Sequence, residues 1–209
     1  MDAALDTIRK GRKYDQVIAG ARDVFLRDGF DGASVDDIAR AAGVSKATLY
    51  SYFSDKRLLF LEVARLQCRD QAEEAITHLD RSRPTEALLH EAGRTFVEIV
   101  FSPLAIQNCR MCLAEAERFP ALAEEFWRCG PVYFVEALLT LFDLAIARGD
   151  LEIPEDQREH AAHQFGELCK ARLFMARLFN IRSDVSEAEK EANVTEAVRT
   201  FMARYGTRA

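Results

Sequence analysis

Between Ser34 and Lys56 the chain gathers hydrogen-bonding side chains of one kind. Ser34, Ser45, Lys46, Thr48, Tyr50, Ser51, Tyr52 and Lys56 offer hydroxyl and ammonium groups, with the small Ala47 among them. Such groups donate to phosphate oxygens, lysine and threonine also reach base edges, and a tyrosine ring can lie against a thymine methyl. Catalysis would need a nucleophile beside a base, or a glycine-rich cradle for phosphates. No nucleophile motif, P-loop or dinucleotide-binding turn occurs in the 209 residues. We therefore expect no catalytic residue and no enzyme.

Two other clusters have metal-like spacing. Cys109-Arg-Met-Cys112 invites a redox or metal reading, but a second such pair is lacking and the spacing equally suits two positions facing a helical core. His160 and His163 lie about one helical turn apart without an identifiable third ligand. The expectation is no metal and no cofactor. Five cysteines, an odd number scattered through apolar patterns, read as reduced thiols of a cytoplasmic protein.

The charge is uneven. The net charge is −6, yet Arg9 to Arg57 holds ten Lys/Arg against seven Asp/Glu, a balance of +3 that leaves −9 for the rest. A basic head on an acidic body fits a polyanion met by the first quarter alone. Arg9, Lys10, Arg12 and Lys13 read either as a flexible arm to a neighbouring groove or as a solvated terminus. No uncharged apolar run reaches the ~18 residues of a membrane span, and the N-terminus lacks the apolar stretch of a secretory signal.

The elements that must hold these side chains are all helical. Val17, Ile18, Ala21, Val24 and Phe25 recur at three and four residues, and Asp28-Gly29 closes that helix. Ser34 caps a short second helix ending near Ala42, Gly43-Val44 turns the chain, and Ser45 caps a third from Lys46 to Tyr52. A long fourth helix runs from Ser54-Asp55 to about Leu79. Beyond Pro84 the pattern predicts helices over Thr85–Phe101, from Pro103 with a break at Phe119-Pro120, over Pro131–Arg148, over Glu155–Phe179 and from Ser186 to Tyr205. The total is about nine or ten helices and no sheet, an all-α fold.

Ala39 at a helix crossing, Gly43 in the turn, and Ile38, Ala42, Val44 and Leu49 between the helices satisfy the needs of a helix-turn-helix. Its second helix would enter the major groove. Short capped helices of this kind also occur in protein cores.

The stretch from Gly29 to Phe60, with TLYSYFSDK at its centre, closely resembles the N-terminal signature of TetR-family transcriptional regulators, without a gap from about Tyr14 to Val63. The resemblance implies a homodimer with a three-helix DNA-binding domain, here 1–56, joined through the long fourth helix to a regulatory domain for ligand binding and dimerisation, here 57–209. By position, Thr48, Tyr52 and Lys56 resemble the family's phosphate and base-edge contacts, and Lys46 and Ala47 its base-reading positions. Ser34 would bring backbone N–H groups to a phosphate, and Tyr50 would pack and touch the DNA backbone. Some relatives carry a basic residue at the position of Asp36, so no base contact is carried over there, and Asp36 reads instead as a charge that serves the helix N-terminus.

Ala114 to Trp127, AEAERFPALAEEFW, is similar to a segment of AefR-like and AcrR-like members. The family places a ligand pocket among the middle helices, for which Phe96, Val100, Leu104, Met111, Phe126, Trp127, Tyr133 and Phe134 are the candidates, with Arg110, Glu115 and Arg118 as polar ones. An ordinary core is the other reading of the same rings. Val135, Leu139, Phe142, Phe165, Leu168, Arg172 and Phe179 are the candidate dimer contacts, with Ala162 and Gly166 small enough for close helix approach. The functional expectation is a homodimeric repressor bound to double-stranded DNA at an inverted-repeat operator and released by a small apolar or aromatic effector. The alternative is a DNA-binding architectural or cell-division partner that responds to proteins.

Overall fold

A computed structural model describes residues 11–78 and 80–207 of the chain. Arg9 and Lys10 of the expected arm lie outside the described residues. Helices follow one another throughout, and the one β-type pairing among the described residues is an isolated bridge between Leu151 and Gly206.

The residues through Arg69 together with Pro103–Cys129 form one compact unit, and residues 70–102 with the chain from Gly130 onward form another. In the first, α1 (Arg12–Gly32) breaks its helical course at Gly29, whose φ is 70°. Then come α2 (Val35–Ala42), α3 (Lys46–Tyr52), the part of α4 (Lys56–His78) up to Arg69, α6 (Pro103–Glu115) and α7 (Pro120–Trp127). Their core is built on Phe25, Ile38, Leu49, Phe53, Leu59 and Phe60. The Phe25 and Phe60 rings meet edge to face at 4.7 Å, the geometry that aromatic quadrupoles favour.

The domain boundary expected after residue 56 does not match this packing. Leu104, Met111, Cys112 and Leu122 from α6 and α7 lie in the same core as the N-terminal helices. Arg57 is held between Asp55 and Glu115, and its guanidinium lies 3.7 Å from the Phe119 ring centroid. The first unit is thus assembled from two stretches of chain. Local periodicity carries no sign of that.

The second unit contains α5 (Thr85–Val100), α8 (Tyr133–Ala147), α9 (Arg158–Lys170), α10 (Leu173–Leu178) and α11 (Glu187–Tyr205). Phe142, Phe165 and Phe201 lie fully buried at its centre, with ring centroids 5.1 and 5.4 Å apart. Ser186 and Glu189 close a reciprocal capping box at the start of α11.

Two helix boundaries differ from expectation. Gly130-Pro131 does not interrupt the chain: a π turn, Arg128–Val132, carries α7 into α8, so that Pro120–Ala147 is one helical run of 28 residues. Counted as one, this run gives ten helices among the described residues. The helix expected over Glu155–Phe179 is instead divided, because Arg172 takes φ 66° between α9 and α10. The Asn193 amide of α11 donates to the carbonyls of Cys169 and Ala171 at 3.3 and 2.8 Å. It thereby satisfies acceptors that the interrupted helix leaves open.

Candidate nucleic-acid interface

The site is made by α2, a tight turn and α3. Ser34 Oγ accepts the Asp37 N–H at 3.1 Å, starting α2, and the Ser34 hydroxyl donates to the Asp37 carboxylate at 2.6 Å. Gly43 ends α2 in the left-handed region at φ 63°, ψ 33°, where a Cβ is penalised. Ser45 Oγ then accepts the Thr48 N–H at 3.1 Å and starts α3. Ile38, Ala39, Ala42 and Leu49 are buried between the helices.

The opposite side of α3 is polar. Ser45, Lys46, Ala47, Tyr50 and Ser51 are exposed, Thr48 and Tyr52 are partly so, and the Tyr50 side reaches 50% exposure although it is a large ring. Some of these groups already have local partners. Ser45 and Thr48 share a hydroxyl–hydroxyl bond of 2.9 Å, and the Ser51 hydroxyl donates to the Thr48 carbonyl at 2.6 Å. Lys46 Nζ lies 2.5 Å from Asp36 Oδ1. The Lys56 ammonium donates to the Phe30 and Ala33 carbonyls at 2.8 and 2.9 Å and sits 4.4 Å above the Phe30 ring. Lys56 therefore fastens the end of α1 in addition to any outward contact. Arg12 and Lys13 stand exposed in the first turn of α1.

Gly20 and the buried network of Tyr14, Glu62 and Arg65 position the site without having been expected to. At Gly20 a Cβ would come within 2.5 Å of the Ala42 backbone nitrogen, so α1 and α2 touch along their main chains. Glu62, 1% exposed, accepts from the Tyr14 hydroxyl and pairs with Arg65. Burial, and then the neighbouring Glu62 carboxylate, push the Tyr14 phenol far above its ordinary pKa. The Tyr14 ring meets both Tyr52 and Phe53 at 5.9 Å, so this buried network ends against the last turn of α3. A glycine in an ordinary helical pattern and a glutamate at an inward position were the available signals.

The candidate pocket residues separate into the two cores. Leu104, Met111 and Phe126 belong to the first, whereas Phe96, Val100 and Phe134 pack on the second. Trp127 is 56% exposed and Tyr133 half-buried. Phe96 and Phe134 stack with centroids 3.9 Å apart, against Gly166, where a Cβ would lie 2.9 Å from the Phe134 ring. Glu115 is taken by Arg57, and Arg118 is exposed with its guanidinium over Phe119. A surface cleft along α5 and α11, lined by Arg94, Val97, Glu98, Glu187, Lys190 and Glu191, contains none of the eight pocket candidates.

The dimer candidates lie at different depths in the chain. Phe142 and Phe165 have no exposed surface and Val135 has 6%, because all three fill the core of their own chain. Leu139 and Leu168 are half-buried, and Arg172 and Phe179 are exposed. Met175 and Ile181 are exposed as well, at 54% and 78%.

Among the described residues no group of three His, Cys, Asp or Glu is gathered for a metal. Burial, and then Cys109 beside it, push the Cys112 thiol up to about 12. His160 shares a hydrogen bond with Gln164 at 3.1 Å, and His163 is exposed.

Two short helices capped by serine, joined through a left-handed glycine and presenting a polar outer face define a helix-turn-helix DNA-binding regulator. Residues 17–63 match the profile of bacterial regulatory proteins of the tetR family, and residues 87–207 match that of the AefR-like transcriptional repressor C-terminal domain. The chain belongs to the TetR family of transcriptional regulators. It is similar to the crystal structure of a TetR-family regulator from Mesorhizobium loti, with a TM-score of 0.81 and 26% identity over 95% of this chain and 99% of that one. The flavonoid-responsive regulator FrrA is 30% identical, with a TM-score of 0.67 over 96% of this chain and all of that one. Among curated relatives, the transcriptional regulator YvdT of Bacillus subtilis is 30% identical over 46% of this chain and 55% of its own length. The activator FasR of Mycolicibacterium smegmatis is 46% identical over 26% of this chain and 25% of its own length. The chain thus spans about half the length, or less, of these curated relatives.

Proposed function

We propose that the chain is a homodimeric repressor whose two α3 helices enter successive major grooves of an inverted-repeat operator, and that a small apolar or aromatic effector releases it. The observation that carries the DNA reading is the exposed face of α3, with Lys46, Ala47, Thr48 and Tyr50 turned out of the core. In this reading Lys46 and Ala47 meet base edges, while Ser34, Ser45, Thr48, Tyr50, Ser51, Tyr52 and Lys56 hold phosphates and sugars. A two-fold operator requires two heads one groove-turn apart, hence a dimer.

The apolar surface of the second unit supports self-association. The most apolar window of the Pro120–Ala147 run has mean hydropathy 1.6, yet only 28% of it is buried within the chain. Glu136 and Asp143 are exposed on α8, which suits a protein partner better than lipid. Leu139, Leu168, Arg172 and Phe179 remain the interface residues in this reading, joined by Met175 and Ile181.

For the effector, the Phe96 and Phe134 rings, which stack on one another at 3.9 Å, would part to take a flat apolar molecule between them. The flavonoid response named for FrrA favours the same class. An effector that binds the non-operator state more tightly shifts the population away from DNA, and a coupling of about 1–3 kcal/mol is enough.

The test is titration of the purified protein onto the intergenic DNA beside its own coding sequence, at several salt concentrations and with a panel of flat aromatic compounds. Two chains per inverted repeat, with affinity that falls steeply with salt and drops further on adding one compound, supports the proposal. Equal affinity for unrelated duplexes, or no response to any compound, counts against the operator or the effector respectively.

A further inference from the structure

The outer face of the helix-turn-helix carries a carboxylate where a polyanion is to be met. Asp36, in the first turn of α2, and Lys46, the first residue of α3, approach to 2.5 Å, and each side chain is 57% exposed. Asp36 favours the N-terminus of α2 by its charge but takes no part in the cap itself. Its neighbour Asp37 receives the Ser34 hydroxyl, gives its own N–H to the Ser34 cap and pairs with Arg40 at 2.8 Å. Among the described residues, Lys46 is the ion-pair partner found for Asp36.

Phosphates repel a carboxylate, so on a DNA-facing surface it is useful only where it finds a donor. In the major groove floor the cytosine N4 amino group is the donor that Asp and Glu accept from, while guanine O6 and N7 accept from lysine. Across one G·C pair these groups lie side by side, as do the ammonium and the carboxylate of Lys46 and Asp36. Ala47, next to Lys46, has only a methyl and leaves the approach open.

Resting on the DNA-binding reading above, we infer that Asp36 and Lys46 act as one unit that reads a single G·C base pair in each operator half-site. Asp36 is the specificity-determining member. The pair is neutral, so it releases no counterions and adds little to non-specific binding. Asp36 gives up general affinity in exchange for discrimination, since a base pair lacking the cytosine amino group leaves its carboxylate unpaired.

Selection of bound duplexes from a randomised library by the full-length protein, followed by salt titrations, tests this. The wild type is expected to select G·C at one position of each half-site. Asp36→Ala should lower that preference about tenfold and leave other positions unchanged, while binding to unrelated DNA tightens and its salt slope steepens by about one. Lys46→Ala should erode the preference at the same position, which keeps the test available if Asp36→Ala fails to fold by circular dichroism. An Asp36→Ala protein that binds all sequences more tightly with an unaltered base profile would make Asp36 a mere counter-charge and overturn the inference alone. A wild-type protein that binds no duplex would overturn the functional reading, and the inference with it.

Discussion

The hydroxyl of Tyr14 donates to the carboxylate of Glu62, a bond that joins the start of α1 to the interior of α4 close to the end of α3. Glu62 is 1% exposed and receives Arg65 through two further bonds of 2.6 Å. Removing the phenol leaves the ion pair intact, so Tyr14→Phe should cost about 1–3 kcal/mol. Glu62→Ala strands a largely buried guanidinium and should cost more, about 3–5 kcal/mol. Urea midpoints measure both. Equal losses in the two variants would mean that the carboxylate adds nothing beyond its bond to Tyr14.

Gly20 of α1 packs directly against the main chain of Ala42 in α2. A methyl at position 20 would fall 2.5 to 2.8 Å from Ala42 atoms, two of them backbone, which cannot rotate away. Gly20→Ala should therefore lose about 1–3 kcal/mol through overpacking. At Gly43 nothing lies within 4 Å of a built Cβ, so only the left-handed backbone opposes a side chain there. Gly43→Ala should lose about 1–2 kcal/mol, and Gly43→Asn less. If Gly43→Asn and Gly43→Ala melt alike, the backbone strain is not the reason for glycine.

The capping box of α11 has a pH signature. The Arg182 guanidinium first, then Ser186, lowers the Glu189 pKa from 4.5 to about 2. A carboxylate lowered on folding contributes stability that is complete above its unfolded value and is lost as pH falls through the folded one. The contribution should thus fade between about pH 4.5 and 2 and remain unchanged toward neutral pH. Thermal melts of wild type and Glu189→Gln should converge across that acid window; a constant gap down to pH 2 would contradict the assignment.

Core and surface aromatics of the second unit should behave differently. Phe142→Ala and Phe165→Ala should each lose about 3–5 kcal/mol of folding stability. Phe179→Ser with Ile181→Ser should leave helical content and melting nearly unchanged while sedimentation shows more monomer. Sedimentation unchanged by the double substitution would remove the turn that follows α10 from the proposed interface.

Lys56 has two roles to separate. Loss of its bonds to the Phe30 and Ala33 carbonyls should cost Lys56→Ala about 2 kcal/mol. If its remaining ammonium proton also meets a phosphate, the salt slope of DNA binding flattens by about one. A reduced stability with an unaltered slope would confine Lys56 to holding the end of α1.

Much of the head was legible because its signals are local. Ser34, Ser45 and Ser186 each accept the N–H three residues ahead, and Gly29 and Gly43 take positive φ where the pattern called for a stop or a turn. The division of the helix expected over Glu155–Phe179 was not legible. It depends on Arg172 in a conformation unusual for its type and on an asparagine more than twenty residues away. The passage of a helix through Gly130-Pro131 was likewise hidden, since a π turn accommodates residues that usually end one.

By itself the sequence determined the all-α class, the cap-turn-cap arrangement around Gly43 and the residue types on the face of α3, because helical periodicity and capping act over three or four residues. Only the tertiary structure decided that α6 and α7 complete the N-terminal core, that Phe142 and Phe165 turn inward, and that Asp36 meets Lys46. Those outcomes depend on which distant surfaces exclude water together, and sequence spacing does not encode that.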